Sequence, residues 1–169
     1  QNPLETVPGL YWRTTGERTL SWNAPKMLEA SPYYRVITEE QTALHAASTG
    51  QTIVLIWSEP RLGQLVSATS FDLGKTWSAA QPLDIPGQPA GLLLTILPNG
   101  QLIRIWQDAS QPGCMLYQQL YTVDKTSGSW SEAQHIMDQP PSCPANSHFL
   151  QNGDTLFWVW GETTENLYL

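Results

Sequence analysis

Residues 70–77 read SFDLGKTW, and this stretch decides more about the fold than any other part of the chain. Ser, Asp, Gly and a Thr–Trp pair at these spacings predict a hairpin turn. The short carboxylate of Asp72 is expected to accept hydrogen bonds from backbone N–H groups two residues on. Gly74 can adopt a positive φ, and Trp77 can anchor the turn between two sheets. The motif therefore predicts a structural turn rather than a catalytic site.

The same turn recurs in weaker form on both sides. Residues 122–130 read TVDKTSGSW and keep Asp124, Gly128 and Trp130, with one residue inserted. Residues 15–22 read TGERTLSW and keep only the outline. The three copies follow one another at a period of about 50 residues, which indicates a repeat architecture.

A second series repeats in step with these turns. It comprises GQTIVLIWSE (50–59), GQLIRIWQD (100–108) and GDTLFWVWGE (153–162). Each copy has a turn glycine, a run of β-branched or aromatic residues, a tryptophan, and an acid two residues later. This combination predicts a strand that leaves a tight turn, and its period is typical of propeller blades or of a solenoid.

One period contains four predicted strands, at residues 43–47, 52–57, 64–70 and 77–83. Four antiparallel strands per repeat make a propeller blade. We therefore expect residues 1–169 to form a single all-β domain, a partial β-propeller. Its blade pieces are predicted at about 10–30 (strands 10–14 and 20–25), 38–85, 89–137 and 144–169 (strands 146–150, 155–160 and 166–169).

About three blades fall short of the four to eight that a closed propeller uses. Two completions are open: the remaining blades of a longer chain, or a second copy that forms a homodimer with a six-bladed ring. The pattern favours the longer chain, because the sequence stops inside a predicted strand.

These motifs resemble those of the sialidase-like β-propellers, which carry Asp-box (BNR) repeats. The residues that match the Asp-box are Ser70, Asp72, Gly74, Thr76 and Trp77, with Asp124, Gly128 and Trp130 in the weaker copy. The resemblance covers nearly the whole chain and implies a six-bladed ring around a central site. The family contains exo-sialidases and other glycoside hydrolases as well as propellers without known chemistry, so the fold alone does not set the function.

A sialidase site would need residues that this sequence mostly lacks. The resemblance implies three arginines that grip a carboxylate, an Arg-Ile-Pro motif, a Tyr–Glu nucleophile pair and an acidic Asp. The positions for the motif arginine fall near Glu40, Ala90 and Cys143, and none of these is arginine. Blades outside these residues would have to supply the rest.

Candidate ligand-binding residues come from the acids of the second series. Glu59, Asp108 and Glu162 are predicted to follow the second strand of each blade, at the face where such propellers bind ligands, with Arg61 nearby. They can hydrogen-bond sugar hydroxyls or act as acid and base. The alternative interpretation, which we favour, is that they are ordinary solvated strand ends.

Histidines and tryptophans that repeat in phase are interpreted as packing residues. His45 and His148 lie five residues before their turn glycines, and an acid–base or metal role is the less favoured alternative. Four tryptophans of the second strands are predicted to form the core between blades rather than to stack on sugars: Trp57, Trp106, Trp158 and Trp160.

Composition excludes several classes of function. The net charge is −7 and the eight Lys and Arg residues are scattered, so nucleic-acid binding is not expected. The longest apolar stretches, such as 90–97, are shorter than the roughly 20 residues that a membrane-spanning helix needs. Membrane insertion is therefore not expected. Cys114 and Cys143 lack a metal-site spacing, and neither a metal nor another cofactor is predicted.

The two cysteines leave two readings open: separate thiols, or one bridge that implies an oxidising compartment. An extracytoplasmic or secreted location is expected. The predicted function is a non-catalytic scaffold that binds carbohydrate or protein. The alternative is part of an exo-sialidase-like glycoside hydrolase whose remaining catalytic residues lie outside this segment.

Overall fold

The computed structural model describes residues 7–16, 21–35, 43–59, 61–108, 110, 115–137, 145–153 and 155–161. These ranges contain one 3-10 helix, Pro32–Arg35, and thirteen strands. The strands are β1 (Gly9–Trp12), β2 (Lys26–Ala30), β3 (Leu44–Thr49), β4 (Thr52–Glu59), β5 (Gln64–Ser70), β6 (Gln81–Pro82), β7 (Pro89–Ile96), β8 (Leu102–Asp108), β9 (Met115–Asp124), β10 (Ser127–Trp130), β11 (Gln134–Met137), β12 (Ala145–Asn152) and β13 (Thr155–Gly161).

The strands form four antiparallel sheets in chain order. Sheet 1 is β1–β2, sheet 2 is β3–β4–β5–β6, sheet 3 is β7–β8–β9–β10 with β11 also on β9, and sheet 4 is β12–β13. The prediction of an all-β, antiparallel architecture is confirmed. No closed sheet is found among the described residues. The same ranges contain no helix that is long and apolar enough to cross a membrane.

Three predicted strands differ from the observed ones. The strand predicted at 77–83 is reduced to Gln81–Pro82, although the N–H groups of Ser78 and Leu83 on either side still donate to carbonyl groups of β5. The strand predicted at 20–25 begins only at Lys26, just after Pro25. The strand predicted at 10–14 ends at Trp12, and the one predicted at 166–169 lies outside the described residues.

The sheets stack face to face, with an apolar layer between each consecutive pair. The layer between sheets 1 and 2 contains Leu10, Leu28, Trp57, Val66, Ala68 and Trp77. The layer between sheets 2 and 3 contains Val54, Ile56, Leu92, Leu94, Leu102, Trp106 and Tyr121. The layer between sheets 3 and 4 contains Ile103, Ile105, Leu116 and Leu156. The first strands of sheets 2, 3 and 4 also contact one another in that order.

The turn after each first strand uses a glycine in the left-handed region. Gly50, Gly100 and Gly153 have φ values of 56°, 82° and 57°, where other residues are strained. The Thr49 hydroxyl donates a hydrogen bond to the Gly100 carbonyl at 2.6 Å. This bond joins the turns of two adjacent sheets and helps to hold the stack in register.

The turn at residues 70–77 is closed by side chains, as its sequence predicts, but with a different hydrogen-bond span. The N–H of Thr76, four residues beyond Asp72 rather than two, donates to Asp72 Oδ1 at 2.9 Å, and its hydroxyl donates to Oδ2 at 2.6 Å. The longer span arises because Leu73 and Gly74 are both left-handed, at φ 60° and 80°, and curl the chain around the carboxylate. Bonds from the hydroxyl and N–H of Thr76 lower the pKa of Asp72 to about 2.

Ser70 forms the buried half of the same turn. Its Oγ accepts from the N–H of Gly74 at 2.7 Å and donates to Asp72 Oδ1 at 2.8 Å. On the other side, Gly74 lies against Trp12 of sheet 1, and the Trp12 and Trp77 rings meet edge to face with centroids 6.0 Å apart. The turn therefore packs against the preceding sheet through Trp77.

The weaker copies of the turn keep one bond in common with it. The residue after each tryptophan donates its N–H to a carbonyl of the preceding segment: Asn23 to Thr14, Ser78 to Thr69, and Ser131 to Leu120. At 122–130 the chain forms a regular hairpin instead, in which Asp124 accepts from the N–H of Lys125. Gly128 there lies against Tyr121, whose ring packs on Trp130 at 4.8 Å.

Replacing Ser70 by alanine should lower the free energy of unfolding by about 1–3 kcal/mol, because the buried N–H of Gly74 loses its acceptor. Ser127→Ala, at an exposed hairpin position, is the matched control and should change it by less than about 0.5 kcal/mol. Urea denaturation measures both. Equal effects of the two substitutions would contradict a structural role for this turn.

Candidate functional site

A cleft of about 930 Å³ lies between sheets 2 and 3. Its walls are the start of β3, the β4–β5 turn, residues 83–89 and the start of β7. The β4–β5 and β6–β7 connections meet at this end of the sheets, which is the end where the sequence predicts ligand binding. The cleft is therefore the natural place to look for a site.

The described lining combines neutral hydrogen-bonding groups with apolar side chains. The polar members are His45, Ser58, Gln64 and Gln88. The large apolar members are Leu65, Leu83, Ile85, Leu92 and Leu93. No Lys, Arg, Asp or Glu is among the lining residues that the structure describes. Such a surface suits an uncharged ligand with both hydroxyl groups and C–H faces.

His45 reaches the cleft from β3. Burial lowers the pKa of its imidazole below the ordinary value of 6.5. The ring is therefore neutral at pH 7, with one nitrogen able to donate and the other able to accept. The sequence predicts that His45 is a packing residue. Its position in the cleft wall also makes it available to a ligand.

Asp108 lies behind the cleft wall and accepts a hydrogen bond from it. Its Oδ1 accepts from the N–H of Gln88 at 3.0 Å and from the N–H of Ser110 at 2.9 Å. Hydrogen bonds from the side chain and backbone of Ser110, and from the backbone of Gln88, hold the pKa of Asp108 below its usual range. A side chain at Gly87 would overlap the Asp108 carboxylate, so only glycine fits there. Asp108 is buried and holds the β6–β7 connection that forms part of the cleft.

Glu59 has a similar local role one sheet earlier. It is buried, and its Oε2 accepts from the N–H of Leu62 at 2.8 Å, which closes the β4–β5 turn. Arg61 in that turn is exposed. Glu162 lies outside the described residues. The interpretation of these acids as solvated strand ends is therefore wrong for Glu59 and Asp108, because both are buried and accept hydrogen bonds from backbone N–H groups of loops. A ligand-binding role for the four predicted residues stays a prediction.

Two of the tryptophans behave as predicted. Trp57 and Trp106 are 1% and 0% exposed and belong to the apolar layers between sheets. The indole N–H of Trp57 donates to Glu29 Oε2 of sheet 1 at 2.6 Å. These rings are therefore core, not sugar-stacking platforms. The side chains of Trp158, Trp160 and His148, and both cysteines, lie outside the described residues.

Sequence reasoning missed Arg104, a charged residue that is only 1% exposed. Its Nε donates to Gln119 Oε1 at 2.8 Å and its Nη2 to the Asp84 carbonyl at 2.9 Å, while the Trp130 ring lies 4.2 Å away. Burial lowers the pKa of Arg104 to about 10, so it remains charged at pH 7. The sequence does contain a signal for this residue, because Arg104 alternates with Leu102 and Trp106 and so lies on the core-facing side of β8.

Neither the described residues nor comparisons with known proteins assign the site. No group of three or more His, Cys, Asp or Glu that could hold a metal ion is found in the described ranges. Searches against protein-family models, curated proteins and solved structures gave no match. The geometry of the cleft is therefore the feature that bears most directly on function.

Asp108→Ala should lower the free energy of unfolding by about 1–3 kcal/mol, because the N–H groups of Gln88 and Ser110 lose their buried acceptor. Asp108→Asn keeps an acceptor oxygen in place and should lose less than half as much. Urea denaturation of both variants at pH 7 tests this. An alanine variant as stable as the unmodified chain would contradict a structural role for the Asp108 carboxylate.

The free energy of unfolding should fall as the pH drops from about 7 to 5, partly through His45. Because its pKa is lowered in the folded state, the unfolded chain binds the proton more readily below pH 6.5. His45→Gln should therefore show a smaller loss over this range than the unmodified chain. His135→Gln, which removes an exposed histidine, is the matched control. An unchanged pH dependence in His45→Gln would contradict the burial of its imidazole.

Proposed function

We propose that this chain is a carbohydrate-binding segment of an Asp-box β-propeller and that the cleft between sheets 2 and 3 binds a neutral glycan. The observation that carries the proposal is the lining of the cleft: His45, Ser58, Gln64 and Gln88 beside leucine and isoleucine side chains, without a charged group among the described lining. Sugars present hydroxyls at their edges and C–H groups on their faces, and this lining offers partners for both.

The stacking of the sheets supports the propeller part of the proposal. Sheets 2 and 3 are antiparallel meanders, and each packs on its neighbours in chain order. The first strands β3, β7 and β12 contact one another, as the innermost strands of successive blades would. The hydrogen bonds that Ser70 and Asp72 make within the turn at residues 70–77 support assignment of that turn to the Asp-box kind.

The alternative function is part of an exo-sialidase-like glycoside hydrolase, and the described residues support it less. Glycoside hydrolysis needs a pair of carboxyl groups beside the scissile bond. The nearest candidates, Glu59 and Asp108, are buried and already accept hydrogen bonds from backbone N–H groups of loops. A sialic acid carboxylate would also require cationic partners, which the described cleft lining does not contain. A protein ligand at the same cleft is a further alternative from the sequence.

Neutral oligosaccharides that end in galactose, glucose or N-acetylglucosamine should bind the 169-residue chain, as measured by calorimetric titration. Gln88→Ala should weaken that binding by about three- to tenfold, because one hydrogen bond to the ligand is lost. Gln51→Ala is the matched control: it removes an exposed glutamine at the opposite end of sheet 2 and should leave the affinity unchanged.

Three outcomes would contradict the proposal. Binding of sialylated glycans alone would contradict a neutral ligand. Release of the fluorophore from fluorogenic glycosides by the purified chain would favour the hydrolase alternative over a binding segment. Equal losses in Gln88→Ala and Gln51→Ala would place the ligand somewhere other than the cleft.

A further inference from the structure

A second pocket lies between sheets 2 and 3, on the other side of the β6–β7 connection from the cleft. It measures about 470 Å³, and we call it the outer pocket. Alternate residues of the connection line the two spaces: Leu83 and Ile85 line the cleft, whereas Asp84 and Pro86 line the outer pocket. The two sites share no described lining residue. The polar lining of the outer pocket is formed by Ser67, Asp84, Arg104, Gln119, Ser131 and Glu132.

Arg104 forms the inner wall of the outer pocket and is held in one position. It lies on the face of β8 that packs toward sheet 2, opposite Gln119 of β9. Its Nε donates to Gln119 Oε1, and its Nη2 donates to the Asp84 carbonyl. Gln119 is fixed in turn, because its Nε2 donates to the Ser131 carbonyl at 2.7 Å. The Trp130 ring, 4.2 Å from the guanidinium carbon, restrains the remaining motion.

The third guanidinium nitrogen, Nη1, has no partner. In the part of the chain that the structure describes it donates no hydrogen bond, although Arg104 is almost completely buried. Within that part, the fully enclosed side-chain nitrogen that lacks a partner belongs to Trp77, so Nη1 keeps its access to the outer pocket. A charged N–H group whose neighbours are both fixed is a preorganised donor for an acceptor that enters the pocket.

The charge of Arg104 is also poorly compensated. The groups that accept its two hydrogen bonds are neutral, a side-chain amide and a backbone carbonyl. Burial lowers the pKa of Arg104 to about 10, and the nearby Asp84 carboxylate opposes this effect only in part. An anionic acceptor at Nη1 would supply the missing counter-charge, through a hydrogen bond roughly twice as strong as one between neutral groups. The inner wall therefore favours a carboxylate.

The rim of the outer pocket carries the opposite charge. Asp84 and Glu132 are the acids of the described lining, and both are exposed. A ligand with a carboxylate alone would be repelled by them, whereas a ligand that also carries an ammonium group would meet both charges favourably. Pro82, Pro86 and Ala133 also line the pocket and suit the C–H groups of such a ligand.

We propose that the outer pocket binds a small zwitterion with one carboxylate and one ammonium group, which is the chemistry of a free amino acid. The carboxylate accepts a hydrogen bond from Nη1 of Arg104, and the ammonium group lies beside Asp84 and Glu132 at the rim. This site depends on Arg104 and on the two rim acids. It is independent of the glycan proposed for the cleft, since the two spaces share no described lining residue.

An NMR titration of the ¹⁵N-labelled, 169-residue chain tests the proposal. The probes are glycine, β-alanine and 4-aminobutyrate, in which one, two and three carbon atoms separate the two charged groups. Propionate and propylammonium, which carry one charge each, are the probe controls. At least one zwitterion should shift the amide signals of Glu132 and Ala133. It should bind with a millimolar dissociation constant, about tenfold or more below that of either single-charge control.

Substitutions in the wall and at the rim test the two halves of the site separately. Ser67→Leu fills the outer pocket from β5 without removing a hydrogen bond of Arg104, and it should weaken zwitterion binding by more than about tenfold. Thr69→Leu, at an equally half-buried position of β5 outside the pocket, is the matched control and should leave the affinity unchanged. Asp84→Asn combined with Glu132→Gln should remove most of the advantage of the zwitterion over propionate.

The rim variant keeps the test decisive if Ser67→Leu unfolds the chain. Circular dichroism first confirms that each variant is folded, and the exposed rim side chains should tolerate substitution. Failure of all three zwitterions to bind at concentrations up to about 50 mM would overturn the proposal. So would propionate that binds as tightly as the best zwitterion, equal losses in Ser67→Leu and Thr69→Leu, or signal shifts confined to the cleft.

Discussion

Two-sided burial of the second strand is the constraint on which the rest of the structure depends. β8 is buried at every residue from Leu102 to Asp108, and β4 follows it closely. A strand with apolar side chains on both faces needs a sheet on each side of it, so sheets 2 and 3 depend on their neighbours for stability. Burial of each large apolar side chain contributes about 1.5–3 kcal/mol, and these strands carry several of them. The stacking of sheets in chain order follows from this requirement.

The same constraint explains why the buried polar groups between the sheets have hydrogen-bond partners. Arg104 and the indole N–H of Trp57 lie between sheets, and each finds its hydrogen-bond partner across the interface, on Asp84 and Glu29 respectively. A buried polar group without a partner costs about 1–3 kcal/mol, so these bonds select one register of sheet against sheet. At the strand ends Glu59 and Asp108 close loops instead. The tightly held loops then form the cleft walls.

The cleft originates in the stacking of the sheets. The space between sheets 2 and 3 is lined by the side chains that the first strands and the connecting loops present there. β4, β8 and β13 carry apolar side chains for one reason, since the repeat places the same kinds of residue at the same positions. The cleft that we propose as a binding site is thus a consequence of one repeating pattern.

The repeat itself could be predicted from the sequence. The spacing of SFDLGKTW and its relatives, and the runs that follow Gly50, Gly100 and Gly153, predict the number and order of most strands, because turn residues and alternation are local signals. The burial of Trp57 and Trp106 could be predicted for the same reason.

Only the tertiary structure decided what the repeated acids and the histidine contact. Nothing local distinguishes a carboxylate that meets a ligand from one that accepts the N–H of Gln88 twenty residues away. Likewise, Arg104 is acceptable in a core strand only because Gln119 and Trp130 come from other strands. The sequence by itself determined an all-β chain of repeating antiparallel strands, since periodicity and turn chemistry act between near neighbours. The tertiary structure decided the cleft and its neutral lining, because these depend on how separate sheets lie against one another.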